Sequence, residues 1–327
     1  SAARLEPGPA PLAAQSLDIL LDVTDRDDGT QVALSGKVEG LASQASVVLP
    51  AAAVADPERA LVNGLAAEGS YAYEGASYIF EMTDSETGAA NGTVATGAGS
   101  LDFALDAGSV SYDSAVQAVA LQVASAALPF PVSAELAEYG VTFAMPLSRT
   151  EAPAPWALGL NLSGLTLNEE IWAMFDPGAM LPRDPATVLL GLSGTATLFV
   201  DLADPEQAQG MAEMAAPGQV DSVSIDELTI AFGGAEVTGT GAFEIDNADT
   251  ATFGGMPKPV GSAEFQLSGV NGLIDTLAAM GLLPQDQVMG ARMMLGLLAT
   301  PVGDDQLQSR IEVTQDGQVL ANGQRLQ

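Results

Sequence analysis

Residues 158–200 read LGLNLSGLTLNEEIWAMFDPGAMLPRDPATVLLGLSGTATLFV. Leu158, Leu160 and Leu162 alternate with small or polar residues, the period of a half-buried strand. Thr166 and Glu169 have the spacing of a capping box, so a short helix is expected next, with Leu167, Ile171, Met174 and Phe175 on one face. Asp176-Pro177-Gly178 supplies the turn chemistry that ends it. Thr195, Thr197 and Phe199 then carry the chain back as a strand.

The same grammar recurs near the C-terminus. Leu267-Ser268-Gly269 leads into an apolar helix and then Leu283-Pro284-Gln285-Asp286, as Leu162-Ser163-Gly164 leads to Leu181-Pro182-Arg183-Asp184. The triplet and the LP-x-D group are 19 residues apart in the first case and 16 in the second. Two copies do not make a solenoid. An internal duplication and a chance repeat of strand, helix and turn signals are both open readings.

Working outward, Leu17–Val23 and Gln31–Val38 alternate on either side of Asp25-Arg26-Asp27-Asp28-Gly29, which predicts a hairpin. Asp56-Pro57-Glu58 predicts a capped helix ending at Gly64. From Ser70 to Phe143 the pattern is a strand meander, and Val119, Leu121 and Val123 tip the ambiguous run 115–127 to strand. Thr150-Glu151-Ala152-Pro153-Ala154-Pro155 reads as a linker. Asp204-Pro205-Glu206-Gln207 predicts a helix running to Pro217, and Gly233-Gly234 joins two strands. Pro257-Lys258-Pro259 reads as a loop. Helices are expected at Leu273–Met280 and Gln287–Ala299, and a hairpin closes the chain around Asp316-Gly317.

These elements make the fold class α+β and β-dominated: a large curved antiparallel sheet, or sheets, with several short apolar helices packed on one face. Residues 1–16 are expected to be loosely ordered. Residues 17–150 form a β-rich first half and 151–327 a β-rich second half with the helices, the two halves either separate or sharing one sheet.

Composition narrows the chemistry. The 327 residues are 47% hydrophobic but only 5% aromatic, so Leu, Val and Ala must build the core, with Met filling gaps. The formal charge is −32, with Lys37 and Lys258 the only lysines. Nucleic acid is excluded as a partner by repulsion. With neither cysteine nor histidine, disulfides, thiolate nucleophiles, Ser-His-Asp triads and the usual transition-metal sites are ruled out. The apolar runs are too short for a membrane-spanning helix. The opening SAARLEPGPAP, without an initiator Met, reads as a mature terminus whose signal peptide has been removed, and an exported protein is expected.

No residue set presents itself as catalytic, metal-binding or cofactor-binding. Asp25–Gly29 resembles part of a calcium loop but lacks its downstream Glu, and Asp246-Asn247-Ala248-Asp249 is similar; both read as solvated turns. Glu169 with Glu170, and Asp304 with Asp305, are adjacent acids that do not face each other on a helix. The residues that suggest binding are Trp172, Met174, Phe175, Met180, Met280, Met289, Met293 and Leu297. Methionine-rich helices line adaptable apolar grooves, and these eight are the ligand-groove candidates; the competing reading is that they cap the core.

Residues 168–187 (NEEIWAMFDPGAMLPRDPAT), together with Leu192-Ser193-Gly194-Thr195-Ala196, Leu128-Pro129-Phe130, Met145-Pro146 and the closing VLANGQR at 319–325, resemble the hallmark of an uncharacterised family of alphaproteobacterial envelope proteins, catalogued only as a domain of unknown function. The resemblance implies an exported, periplasmic protein and brings no catalytic residues. The expected function is non-enzymatic: binding of a hydrophobic ligand, a lipid or other apolar small molecule, between the curved sheet and the Met-rich helices. The alternative is a structural or interaction protein of the periplasm that binds an envelope protein partner.

Overall fold

The alternation that begins at Leu158 governs most of the chain. A computed structural model, describing residues 12–24, 30–84, 88–211 and 216–326, places seventeen strands in one antiparallel sheet, with five short helices among these residues. The strands are β1 (Leu12–Thr24), β2 (Gln31–Val48), β3 (Ala66–Tyr73), β4 (Gly75–Asp84), β5 (Gly88–Thr96), β6 (Gly99–Leu105), β7 (Ser109–Ser125), β8 (Val132–Pro146), β9 (Ala154–Leu167), β10 (Ala186–Leu198), β11 (Gly218–Phe232), β12 (Ala235–Asp246), β13 (Lys258–Ser268), β14 (Thr300–Gly303), β15 (Gln306–Val313), β16 (Val319–Ala321) and β17 (Gln324–Arg325). The helices are α1 (Ala51–Ala55), α2 (Glu169–Phe175), α3 (Pro205–Gly210), α4 (Val270–Ala279) and α5 (Gln285–Leu298).

The sheet is a meander. β1 pairs with β2, and each strand from β7 to β12 pairs with the next. β2 is long enough to hold β3 and β4 end to end, and β6 and β5 lie beside those two before β7 spans both. Beyond β13 comes β15, which carries β14 and β16 along one side, and β17 ends the sheet. The Pro-rich stretch 150–155 joins two neighbours of this sheet: β8 and β9 pair across it, and the Thr150 N–H donates to the Leu198 carbonyl at 3.1 Å.

Residues opposite one another on antiparallel strands share a face, so the register assigns every side chain to one of two. One face is apolar. A single cross-strand row on it runs Tyr73, Gly99, Val116, Tyr139, Leu162, Val188, Ile230, Val237, Leu267, Leu307. The other face is polar or small, as in Ser70, Asp102, Asp113, Thr142 and Gly159.

A crease crosses the first half of the sheet. Strict alternation would put Val38 and Leu41 on opposite faces, yet both are buried. Between them Gly40 has φ +63°, and Ala118 in β7 (φ 50°) and Gly164 in β9 (φ 72°) make the same excursion into left-handed backbone. Each excursion inserts one residue and returns the chain to the same face, so Leu162 is followed on the apolar side by Leu165 and Leu167. The line ends at β10 as a register shift between Ala186 and Val188. Such irregularities bend strands, which is how a sheet this wide departs from flatness.

Glycines opposite aromatic residues give the apolar face its texture. A Cβ on Gly36 would lie 2.4 Å from the Tyr78 ring, on Gly99 2.3 Å from Tyr73, on Gly69 2.7 Å from Phe103, on Gly92 2.5 Å from Phe80 and on Gly239 2.5 Å from Phe265. In each pair the ring lies down over the bare backbone of the neighbouring strand, which covers the weak spot a strand glycine leaves.

Several local expectations change. Thr166 does not cap α2: alternation continues through Leu167, so Thr166 lies inside β9 opposite Glu135 and Asn168 becomes the residue preceding the helix. The buried residue of α2 is Trp172, whereas Met174 and Phe175, expected on the inner face, are exposed. Residues 57–59 form one 3₁₀ turn after α1, without a cap from the Asp56 side chain. α3 ends at Gly210, its cap being Asp204, which accepts the Glu206 N–H at 3.1 Å. Lys258 and Pro259 open β13 where a loop was expected, and β1 begins at Leu12, inside the segment expected to be loose. The internal repeat diverges after its LP-x-D group, which leads to strand β10 in the first copy and helix α5 in the second. The turn at Asp25–Gly29 lies outside the described residues.

Candidate functional site

Few apolar side chains are buried. The chain exposes 19147 Å², against about 12,600 Å² for a compact globule of this mass. Phe103, Tyr112, Tyr139, Leu158, Val188 and Ile230, all on the apolar face, are each more than a third exposed. That face is largely bare over the first half and on β9 and β10; α4 and α5 cover it over β12, β13 and β15.

Two assemblies hold the cover in place. In the first, α2 is pinned by Trp172, whose indole stacks on Phe232 of β11 (6.0 Å, 12°) and carries the Arg183 guanidinium over its ring, 4.4 Å from the centroid. Arg183 in turn bonds Asp176 at 2.5 Å, and the Asp176 carboxylate accepts the N–H groups of Met180 (2.9 Å) and Leu181 (3.0 Å). Burial raises the Asp176 pKa, but the Arg183 hydrogen bond and the two N–H groups outweigh it and hold the carboxyl below its usual value. The loop so closed sets Leu181 and Pro182 against the Gly233-Gly234 turn, where Leu273 of α4 also arrives. Trp172, a groove candidate from the sequence, is thus a clamp.

The second assembly starts α4. Gly269 (φ 67°) turns the chain off β13, and Asp305, far along the sequence, caps the helix: one carboxylate oxygen accepts from the Asn271 N–H (3.1 Å) and side chain (2.8 Å), the other from the Gly272 N–H (2.9 Å). This explains an acid that sequence reading placed only beside Asp304. Of the other adjacent acids, Glu169 lies 3.4 Å from Arg183 and Glu170 accepts from Asn168. Asp246 and Asp249 both pair with Lys258, at 3.3 and 2.9 Å, and the lysine hydrogen bond is the main reason the Asp249 pKa falls to about 2. Among the described residues no three His, Cys, Asp or Glu converge on a common point.

Between α4 and α5 above and β12, β13 and β15 below lies a cavity of about 410 Å³, lined by Val237, Phe265, Leu267, Ile274, Ala291, Met294, Leu295, Leu298 and Ile311. Its one hydroxyl, on Ser309, already donates to the Leu298 carbonyl at 2.6 Å. The volume is in the range of small-molecule sites. The lining offers no free hydrogen-bonding group among the described residues, so it favours hydrocarbon over any polar ligand. A broader groove of about 970 Å³ crosses β2, β3, β6, β7 and β8, where Phe103, Tyr112 and Phe143 share a cross-strand row.

None of the eight groove candidates lines the cavity. Met289 (66% exposed), Met293 (70%) and Leu297 form the outer stripe of α5, while the cavity is met by Ala291, Met294, Leu295 and Leu298. Met174 (71%), Phe175 and Met180 face outward around α2, and Met280 ends α4 half-buried. α5 is apolar on opposite faces, so periodicity alone could not choose between them.

The family profile described as "uncharacterized protein conserved in bacteria (DUF2125)" matches residues 21–326. The chain belongs to that family. The match spans the sheet from within β1 to the residue after β17, so the cavity, both helix-pinning assemblies and the crease are all inside it. No curated protein and no solved structure matches the chain. No helix among the described residues is long and apolar enough to cross a membrane.

Proposed function

We propose that this protein is a non-enzymatic binder of lipid, holding an acyl chain in the cavity under α4 and α5 and along the adjoining apolar face. The observation that carries this is the cavity lining: apolar side chains throughout, with its only hydroxyl already spent on Leu298. The row from Leu267 through Val237, Ile230, Val188 and Leu162 continues the same surface beyond the helices, so a chain longer than the cavity stays on apolar ground. A periplasmic location belongs to this proposal. It suits the task, since a lipid crossing an aqueous compartment needs its chains shielded from water.

The test is extraction and native mass spectrometry of protein taken from its own envelope, followed by titration of the delipidated chain with a fluorescent fatty acid. Near-stoichiometric lipid is expected, with micromolar binding of the probe. Ala291→Trp, which fills the cavity, should weaken binding at least tenfold, whereas Met289→Gln on the outer stripe should leave it unchanged. Equal binding by both variants, or none by the unaltered protein, rejects the proposal.

A further inference from the structure

The two ends of the sheet are built differently. β17 is two residues long, a short and harmless edge; β1 is thirteen, and among the described residues its one strand partner is β2. Sheet edges are ordinarily protected by lysine, proline, bulges or brevity. β1, with the sequence LAAQSLDILLDVT, has no lysine, arginine or proline, and among the described residues nothing pairs with its outer row of N–H and C=O groups. Its side chains are as unusual. Leu17, Ile19, Leu21 and Val23 continue the apolar face to the rim, while Asp18, Leu20 and Asp22 stand on the polar face, with Leu20 86% exposed.

We infer that the β1 edge is a binding site for an extended segment of a partner protein that adds to the sheet as an eighteenth strand, apolar on one side and bearing two cations that flank an apolar residue on the other. The backbone edge supplies the hydrogen bonds and the side chains supply the choice. The cations are called for by Asp18 and Asp22. Asp18 faces Lys37, which is already 2.6 Å from Glu39, and Asp22 faces Ala33. The chain as a whole carries −32, so a basic segment is drawn to it and an acidic one repelled. A second copy of this chain is disfavoured on the same ground. The antiparallel register that pairs Leu17 with Val23 and Ile19 with Leu21 also sets Asp18 directly against Asp22, twice, and like charges opposite one another destabilise a strand pair. An added strand would also lengthen the apolar face by one step, but this inference does not depend on lipid binding.

The probe is a labelled peptide of sequence Val-Lys-Val-Leu-Val-Lys-Val between Gly-Ser tails, compared with its Glu-for-Lys counterpart and with a form N-methylated at alternate residues. Fluorescence anisotropy should show the lysine peptide binding about tenfold or more tighter than either control. Asp18→Lys with Asp22→Lys should reverse the ranking of the lysine and glutamate peptides. Hydrogen exchange on the unaltered chain keeps the test sharp if that double variant folds poorly: the lysine peptide should protect amides within residues 12–24. An unchanged ranking, binding that survives N-methylation, protection confined to another segment, or a dimer by sedimentation that already occupies β1 would each overturn the assignment.

Discussion

Of the four Leu-Ser-Gly triplets in the chain, those at 162–164 and 267–269 both turn the backbone, and they do different work. In both, the glycine takes a left-handed backbone, φ 72° at Gly164 and 67° at Gly269. At Gly164 the excursion adds one residue to β9 and the strand resumes with Leu165 and Leu167. At Gly269 it ends β13, and the helix α4 begins at the next residue. The triplet by itself does not turn the backbone, since Gly36 and Gly194 end two further copies inside β2 and β10 without a positive φ. At Gly164 and Gly269 the turn and its outcome are set by the residues that follow and by the strands alongside. After Gly164 comes Leu-Thr-Leu, period two, with β8 and β10 on either side to pair with. After Gly269 comes VNGLIDTLAA, where Val270, Leu273, Ile274 and Leu277 recur at helical spacing, and Asp305 receives the first N–H groups.

The comparison is broken most severely at Gly269. A Cβ there would stand 2.1 Å from the Gly234 carbonyl oxygen, a backbone atom of the turn that Pro182 also covers, and alanine would hold a disfavoured φ besides. Gly269→Ala is expected to cost roughly 3–5 kcal/mol in chemical denaturation and to free α4 and α5 from the sheet, which exchange of their amides would register. Gly164→Ala meets the Ala137 methyl at 2.6 Å with the same unfavourable φ, but its neighbour is a side chain on a crease that is already irregular. About 1–3 kcal/mol is expected, with α4 amides unaffected. Equal costs at the two glycines would mean that backbone conformation, not the fixed carbonyl, sets the penalty.

Removing the cap should cost less. Asp305→Ala leaves the Asn271 and Gly272 N–H groups without their carboxylate, a loss of about 0.5–2 kcal/mol. Asp305→Asn should recover part of it, because the amide oxygen still accepts. A cost near zero for Asp305→Ala would place the start of α4 under the control of Gly269 alone.

These residues also show what the sequence could and could not disclose. The slip from Leu162 to Leu165 and Leu167 is written in the chain, and a count of alternation phase across 158–167 finds the crease there. Reading Thr166 with Glu169 as a capping box hid it, since the local cap signal was outweighed by pairing with Glu135. β7 was legible through Val119, Leu121 and Val123, as were α4, α5 and the Gly233-Gly234 turn. The Asp305 cap and the Arg183–Asp176 clamp were not: the first joins residues far apart in sequence and the second lies in a loop, where no period applies. The aromatic-over-glycine pairs depend on register, which alternation does not fix. For α5 both stripes are apolar, and only the sheet beneath decides that Leu295 and Leu298 turn inward while Met289 and Met293 do not.

The smallest effect separates the two glycines by pH. Burial raises the Asp305 pKa, but the Gly272 N–H, with the Asn271 side chain and N–H, overrides it and holds the carboxyl below its ordinary value. In the unfolded chain it titrates near the usual aspartate value of about 3.9. The folded state therefore binds its proton later as acid is added, and the cap contributes in full above that value. Its contribution shrinks as pH falls from there through the folded-state pKa. Asp176 and Asp249, held low by Arg183 and Lys258, shift stability in the same direction, so the unaltered protein alone cannot isolate the cap. The difference between it and Asp305→Asn can: that difference should be constant above about pH 5 and decline below it. Gly164→Ala, remote from any of these carboxylates, should run parallel to the unaltered protein across the whole range. A constant difference for Asp305→Asn down to about pH 2 would show that the carboxylate's charge contributes nothing and that its geometry as an acceptor is what starts α4.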